Sequence, residues 1–222
     1  MSGEELVLAL VGPTASGKSG TALELARRGL RRADGGSRVF EVVAVDAFTV
    51  YRGMDIGIAK PSIEDRAQVR HHLIDVLDPW EDVTVQWFQL QARAVIEEVQ
   101  GRGNVPLLAG GSGLYFRAVV DDLRFPPTDP DVRGDLEDRF GDRPEEAHER
   151  LAALDAAAAA KIEPGNLRRS VRALEVIELT GEPFSSFADA WDDYRSIYPG
   201  LDVRGIDHEE LRARIERRAR EM

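Results

Sequence analysis

Eight residues near the N-terminus carry the first recognisable chemistry. Gly12-Pro13-Thr14-Ala15-Ser16-Gly17-Lys18-Ser19 fits the phosphate-loop spacing G-x-x-x-x-G-K-[ST] at every fixed position. Gly12 and Gly17 permit backbone conformations that a side chain would block. The amides of such a loop, and of the helix it opens, turn toward an anion. Lys18 brings a mobile positive charge, and Ser19 a hydroxyl able to hold Mg²⁺. The loop reads phosphates and leaves the rest of the ligand open. Asp46 closes the valine-rich stretch from Val39 to Val45. A carboxylate at the carboxyl end of a buried strand lies where open α/β sheets bind ligands; a cap or loop residue is the plainer alternative. Gly110-Gly111-Ser112-Gly113 follows the run Val105 to Ala109. It is not a hydrolase elbow, because Leu114 occupies the last position. With the first loop it reads as a second wall of one anion pocket. Arg168, Arg169 and Arg172 fall within one helical turn, either as a solvated face or as an anion contact. His71-His72 lack the i,i+4 spacing of helical metal ligands, so a structural or phosphate-facing role is favoured over a metal.

The elements that must position these residues follow from periodicity. Leu6 to Val11 reads as a buried strand and Thr21 to Arg28 as a helix, so the phosphate loop has the strand–turn–helix context it needs. Arg27 to Arg38 is a polar surface loop, and Val39 to Val45 a second buried strand. Ala47 to Pro61 has no period and reads as a loop over the site. Thr84 caps a helix to about Gln100, with Phe88, Ala92, Val95, Ile96 and Val99 on its core face. Beyond Leu123 the pattern changes to short helices. Asp129-Pro130 opens one, Pro144 another, and Asp155 caps Ala156 to Ala160; Asn166 caps Leu167 to Thr180, closed by Gly181. Leu201 to Ile206 reads as a returning strand. His208 to Met222 is a charged helix with Leu211 and Ile215 inward.

Composition narrows the class. The chain has 222 residues, 43% of them hydrophobic, enough to fill a core. It has no cysteine, which excludes disulfides and thiolate metal sites. No apolar run approaches membrane-spanning length, and the acidic N-terminus lacks a signal-peptide pattern, so a cytoplasmic protein without a membrane partner is expected. The net charge of −11 weighs mildly against nucleic acid, although the local field decides.

Taken together, the strings resemble the tRNA dimethylallyltransferases, the isopentenyl transferases that modify the adenosine next to the anticodon. The resemblance runs from about Leu6 to the end. It rests on the phosphate loop; Val45-Asp46; Val50-Tyr51-Arg52-Gly53-Met54-Asp55-Ile56-Gly57; Ala59-Lys60-Pro61; and His71-His72-Leu73-Ile74-Asp75. It continues in Gly110 to Tyr115, Asp129 to Arg133, and Arg169 with Arg172-Ala173-Leu174-Glu175-Val176. It implies that the loop holds the diphosphate of dimethylallyl diphosphate with Mg²⁺ on Ser19, and that a helical insertion grips the tRNA anticodon arm. Asp46 is implied as general base. Ser112 and Arg133 are implied to touch the reacting groups or the tRNA, and Arg168, Arg169 and Arg172 the tRNA. Where the family usually has Asp-Ser-x-Gln, this chain has Asp46-Ala47-Phe48-Thr49, also expected to face the tRNA; Thr49 offers a hydroxyl where an amide would read the adenine edge. Ser112 replaces a usual Thr. The family normally continues for tens of residues past this ending, so the chain is expected to bind diphosphate but modify tRNA poorly.

The expected architecture is α/β, a parallel sheet of the P-loop NTPase or kinase-like type with a small all-helical insertion. Residues 1–122 form the core, 123–190 the insertion and 191–222 a return to the core, in a monomer. The expected function is transfer of a dimethylallyl group to N6 of adenosine in tRNA. Three alternatives are prenylation of free adenine nucleotides, an ATP-binding small-molecule kinase, and an inactive RNA- or nucleotide-binding remnant.

Overall fold

A computed structural model describes residues 6–31, 35–121, 123–187, 205 and 207–221. The chain divides into two compact units, Met1–Asp121 with Val203–Met222, and Asp122–Asp202. The sequence pattern predicts the helical segment over 123–190, shorter at its C-terminal end than the second unit.

The first unit contains β1 (Leu8–Val11), α1 (Lys18–Arg28), β2 (Leu30–Arg31), β3 (Ser37–Arg38) and β4 (Phe40–Val45). It continues with α2 (Ile63–Gln68), β5 (His71–His72), α3 (Val85–Gly101), β6 (Val105–Gly110) and α4 (Gly113–Val120). Four parallel strands form the sheet in the order β1-β6-β4-β5. Every residue of β4 is buried. Side chains alternate across a strand, and β4 shows what that does. Val43 and Val45 enter one core with Phe88 and Ala92 of α3, while Phe40 and Val42 enter another with Ala22 and Ala26 of α1. β6 divides the same way, Leu108 to the first core and Val105 and Leu107 to the second. A strand covered on both faces is mostly apolar, and the valine-rich stretch carried that signal; its one charged residue, Glu41, is buried with partners described below.

Local chemistry sets the helix starts. Thr84 accepts a hydrogen bond from the Trp87 amide and opens α3, as its sequence indicates. Four features differ from the sequence reading. β1 is half exposed, not buried, because it is the edge of the described sheet; Val11 is 50% exposed. The polar loop after α1 holds a two-stranded antiparallel ribbon, β2 with β3. Ser62 caps α2, six residues without a buried side chain. His71-His72 form a strand, in register with Val42 and Val43. The His72 ring lies 2.7 Å from Glu41, a carboxylate on β4 only 2% exposed. Arg102 and Asn104 also donate to Glu41. Burial pushes the Glu41 carboxyl up, but these hydrogen bonds outweigh it and hold it at about 2. The strand expected at Leu201 to Ile206 lies, but for Gly205, outside the described residues. His208–Glu221 forms α9 of the same unit.

The second unit contains α5 (Pro130–Phe140), α6 (Pro144–Leu154), α7 (Ala156–Ala159), α8 (Leu167–Thr180) and a 3-10 turn at Phe184–Phe187. Asp129, Asp155 and Asn166 cap α5, α7 and α8 through their side chains, and Gly181 ends α8 at φ 71°. Leu136, Phe140, Leu151, Val171 and Leu174 fill its core.

Candidate active site

Three loops leave the carboxyl ends of the neighbouring strands β1, β6 and β4. They are the phosphate loop, the second Gly-rich turn and the turn that begins at Asp46. Parallel strands bring together at one edge what lies up to a hundred residues apart in sequence.

The phosphate loop turns at Pro13, whose carbonyl accepts from the Ser16 amide at 3.3 Å. Gly17 stands at φ 94°, in the left-handed region that favours glycine, and Ala15 also has a positive φ of 63°. Gly17 gives α1 no side-chain cap, so the first amides of the helix remain available to an anion. Lys18 folds back to donate to the Pro13 carbonyl at 3.1 Å. The second Gly-rich turn packs directly on this loop. A Cβ on Gly111 would stand 3.1 Å from the Gly12 carbonyl oxygen and 3.3 Å from Lys18 Nζ. Ser112 caps α4 through a weak 3.5 Å bond from the Tyr115 amide.

Asp46 does two things at once. Its Oδ1 accepts from the Phe48 amide at 2.8 Å and more weakly from Thr49 at 3.4 Å, which folds the turn. The carboxylate also lines a hollow of about 250 Å³ together with Thr14 of the phosphate loop. Phe48, Ile58, Ile215 and Ala219 supply apolar wall there, and Arg218 a positive charge. The plainer reading of Asp46 as a turn residue is met, and the same residue lines the hollow. Burial lowers the Lys18 pKa first, the Arg218 charge lowers it further, and Asp46 opposes both. Lys18 thus feels both charged groups.

Thr49 departs from expectation. It is 8% exposed, and its hydroxyl is buried with no hydrogen-bond partner among the described residues, so it does not face the hollow. Phe48, its neighbour, is 59% exposed on the wall. The turn is tied from behind by Lys60, which the sequence reading left without a role. Its side chain is 4% exposed and donates to the Tyr51 carbonyl, Asp55 and Asp75. Asp75 in turn donates its amide to the Thr49 carbonyl.

Two arginines of α9 were also missed. Arg218 lines the hollow, and Arg214 Nη1 stands 3.8 Å from where a Gly17 Cβ would be. Their spacing with Leu211 and Ile215 marks one helix face, a signal that a search for apolar residues alone passes over. A larger hollow of about 520 Å³ is lined, among the described residues, by α9 alone and gathers none of the loops. Arg133, Arg168, Arg169 and Arg172 belong to the second unit. Arg168 and Arg169 are exposed, whereas Arg133 and Arg172 pair with Glu175.

A parallel α/β sheet with a phosphate loop after its first strand and an acid two strands away defines a phosphate-loop fold. Residues 49–222 match the family model described as IPP transferase, and the chain belongs to that family. It is 48% identical over 220 residues to the tRNA dimethylallyltransferase of Bifidobacterium longum subsp. infantis, covering 97% of this chain and 64% of that one. With the tRNA dimethylallyltransferase of Kineococcus radiotolerans it shares 51% over 218 residues, covering 97% and 67%. The chain thus spans less than two thirds of the length of the Bifidobacterium relative. A solved structure titled "Crystallographic snapshots of eukaryotic dimethylallyltransferase acting on tRNA" has the same fold, with a TM-score of 0.69 and 24% identity over 82% of this chain and 44% of that one. Among the described residues no helix is long and apolar enough to cross a membrane.

Proposed function

We propose that this chain is the catalytic core of a tRNA dimethylallyltransferase. The observation that carries the reading is the hollow beside the phosphate loop, whose lining combines Asp46 and Arg218 with the apolar side chains of Phe48, Ile58 and Ile215. A short prenyl diphosphate likewise combines a charged group with a hydrocarbon. Its diphosphate would lie against the loop amides, Lys18 and the arginines of α9, and its hydrocarbon against Phe48, Ile58 and Ile215. The amine of adenosine N6 is a poor nucleophile, since its lone pair is delocalised into the ring. Asp46 would take the N6 proton as the bond from N6 to the allylic carbon forms and the bond from that carbon to diphosphate oxygen breaks. The positive groups of the loop neutralise the charge that grows on the leaving diphosphate. Among the described residues no group of three or more carboxylates or imidazoles could cage a metal. The exposed Ser19 at the start of α1 fits Mg²⁺ bound mainly through diphosphate oxygens, where the ion would supply further neutralisation. A target base in an anticodon loop would have to leave its stack to reach Asp46.

Mass spectrometry of tRNA incubated with the protein, Mg²⁺ and dimethylallyl diphosphate tests this. One dimethylallyl group gained on an anticodon-loop adenosine is expected. Modification of free adenine nucleotides but not tRNA, or consumption of ATP without prenylation, would replace the reading with another. Lys18→Ala is expected to weaken binding of both diphosphate and dimethylallyl diphosphate by about tenfold or more, because a charge-assisted hydrogen bond is lost. Calorimetry showing unchanged affinity would place the anion elsewhere.

A further inference from the structure

In the helical unit one carboxylate is wholly enclosed. Glu175 of α8 is 0% exposed. Its Oε1 accepts from the Thr128 hydroxyl at 2.8 Å and the Asp129 amide at 2.9 Å. Its Oε2 accepts from Arg133 through Nη2 at 2.8 Å and Nε at 3.2 Å, and from Arg172 Nη1 at 2.8 Å. Burial alone would raise its pKa, but the donors hold it at about 2, so it stays charged at any working pH. The two guanidiniums are then used differently. Arg172 gives its remaining bonds to the carbonyls of Pro126 and Pro127 and so straps the segment before α5 onto α8. Arg133 gives Nη2 to Thr128 as well, while its Nη1 has no partner among the described residues and its side chain is 41% exposed. Two positive charges surround one negative charge, so the cluster keeps a net positive charge with one donor edge open.

We propose that Glu175 is a positioning residue for RNA binding, which locks Arg133 and Arg172 so that the open edge of Arg133 meets an RNA phosphate already in place. The proposal rests on the tRNA reading above. Its physical content is preorganisation. A free arginine gives up rotamer freedom when it engages phosphate, and an arginine already held by a buried carboxylate has given it up on folding. Lysine cannot substitute, because an ammonium lacks the planar fork that binds carboxylate on one edge and phosphate on another.

Simple charge counting predicts the opposite sign, and that makes the idea testable. Removing a negative charge near a polyanion should tighten binding. The probe is an anticodon-arm RNA hairpin with an adenosine 3′ of the anticodon, titrated by fluorescence anisotropy at fixed salt. Glu175→Gln is expected to weaken binding by roughly tenfold, the worth of a hydrogen bond to a charged group. In an Arg133→Ala background the same change should cost little more, since the residue it positions is gone. Unchanged or tighter binding by the single variant, or fully additive losses, would overturn the proposal. If Glu175→Gln fails to fold, Arg133→Lys decides alone: a roughly tenfold loss supports positioning, and wild-type affinity shows that charge without geometry suffices. Failure of the unaltered protein to bind the hairpin at any salt would instead overturn the tRNA reading, and this proposal with it.

Discussion

Asp46→Asn is expected to lower the single-turnover rate of prenyl transfer by ~10²–10⁴, the usual worth of a positioned general base, while diphosphate affinity changes little. The geometry makes this substitution unusually clean. Oδ1 folds the turn by accepting the Phe48 amide at 2.8 Å, and an asparagine side-chain oxygen can accept the same bond. The turn should therefore survive and only the proton acceptor should be lost. Rapid-quench kinetics with saturating dimethylallyl diphosphate and tRNA read the effect directly. A rate within about threefold of wild type would remove Asp46 from the chemistry and leave it the turn role alone. Asp46→Ala removes both functions and should also loosen the wall that carries Phe48.

Gly110→Ala should have the largest effect on stability. An ideal Cβ on Gly110 falls 2.0 Å from the Val45 carbonyl oxygen and 2.7 Å from the Val45 Cβ. The two residues are partners in register at the ends of β6 and β4, so the clash cannot be relieved by turning a side chain. The strands must part just where Asp46 and the second Gly-rich turn begin. A loss of about 4 kcal/mol or more is expected, from strain at a position where backbone meets backbone. Gly113→Ala is the control, since nothing lies within 4 Å of its Cβ position and the residue starts α4. There the change should cost little or stabilise the helix. Denaturant titration of the two variants beside wild type measures both; losses of similar size would mean that the approach of β4 to β6 is softer than it looks.

What the sequence revealed and what it hid have a common physical cause. The caps at Thr84, Asp129, Asp155 and Asn166 act within three residues of themselves, so local reading found them. β4 and β6 are buried on both faces, so their apolar runs were visible. β5 was hidden because it is two histidines long and exists through its pairing with β4 and the contact of His72 with Glu41, 31 residues away. Lys60 and Asp75 tie the Asp46 turn across 15 residues, and Arg133 meets Glu175 across 42. Pairings of that range leave no periodic trace. The phosphate loop and its pairing with the second Gly-rich turn were legible as strings, but the close approach of Gly111 to Gly12 and Lys18 required the fold. The burial of the Thr49 hydroxyl ran against the role that its position implied, since nothing in a string says which way a turn residue points.

The chain has only three lysines, Lys18, Lys60 and Lys161, and arginine supplies the rest of its positive charge. The three amines live in different worlds. Lys60 is enclosed, and although burial works against its charge, Asp75 and Asp55 raise its pKa, so it is closed to acylating reagents. Lys161 is exposed on the helical unit. Lys18 is partly exposed with its pKa lowered, so at mildly alkaline pH more of it is the neutral amine that acylates. An amine-selective reagent therefore behaves as an occupancy meter for the phosphate loop. Labelling at Lys18, scaled to Lys161 in the same spectrum, should fall as diphosphate fills the site, and it does so without any prenyl transfer taking place.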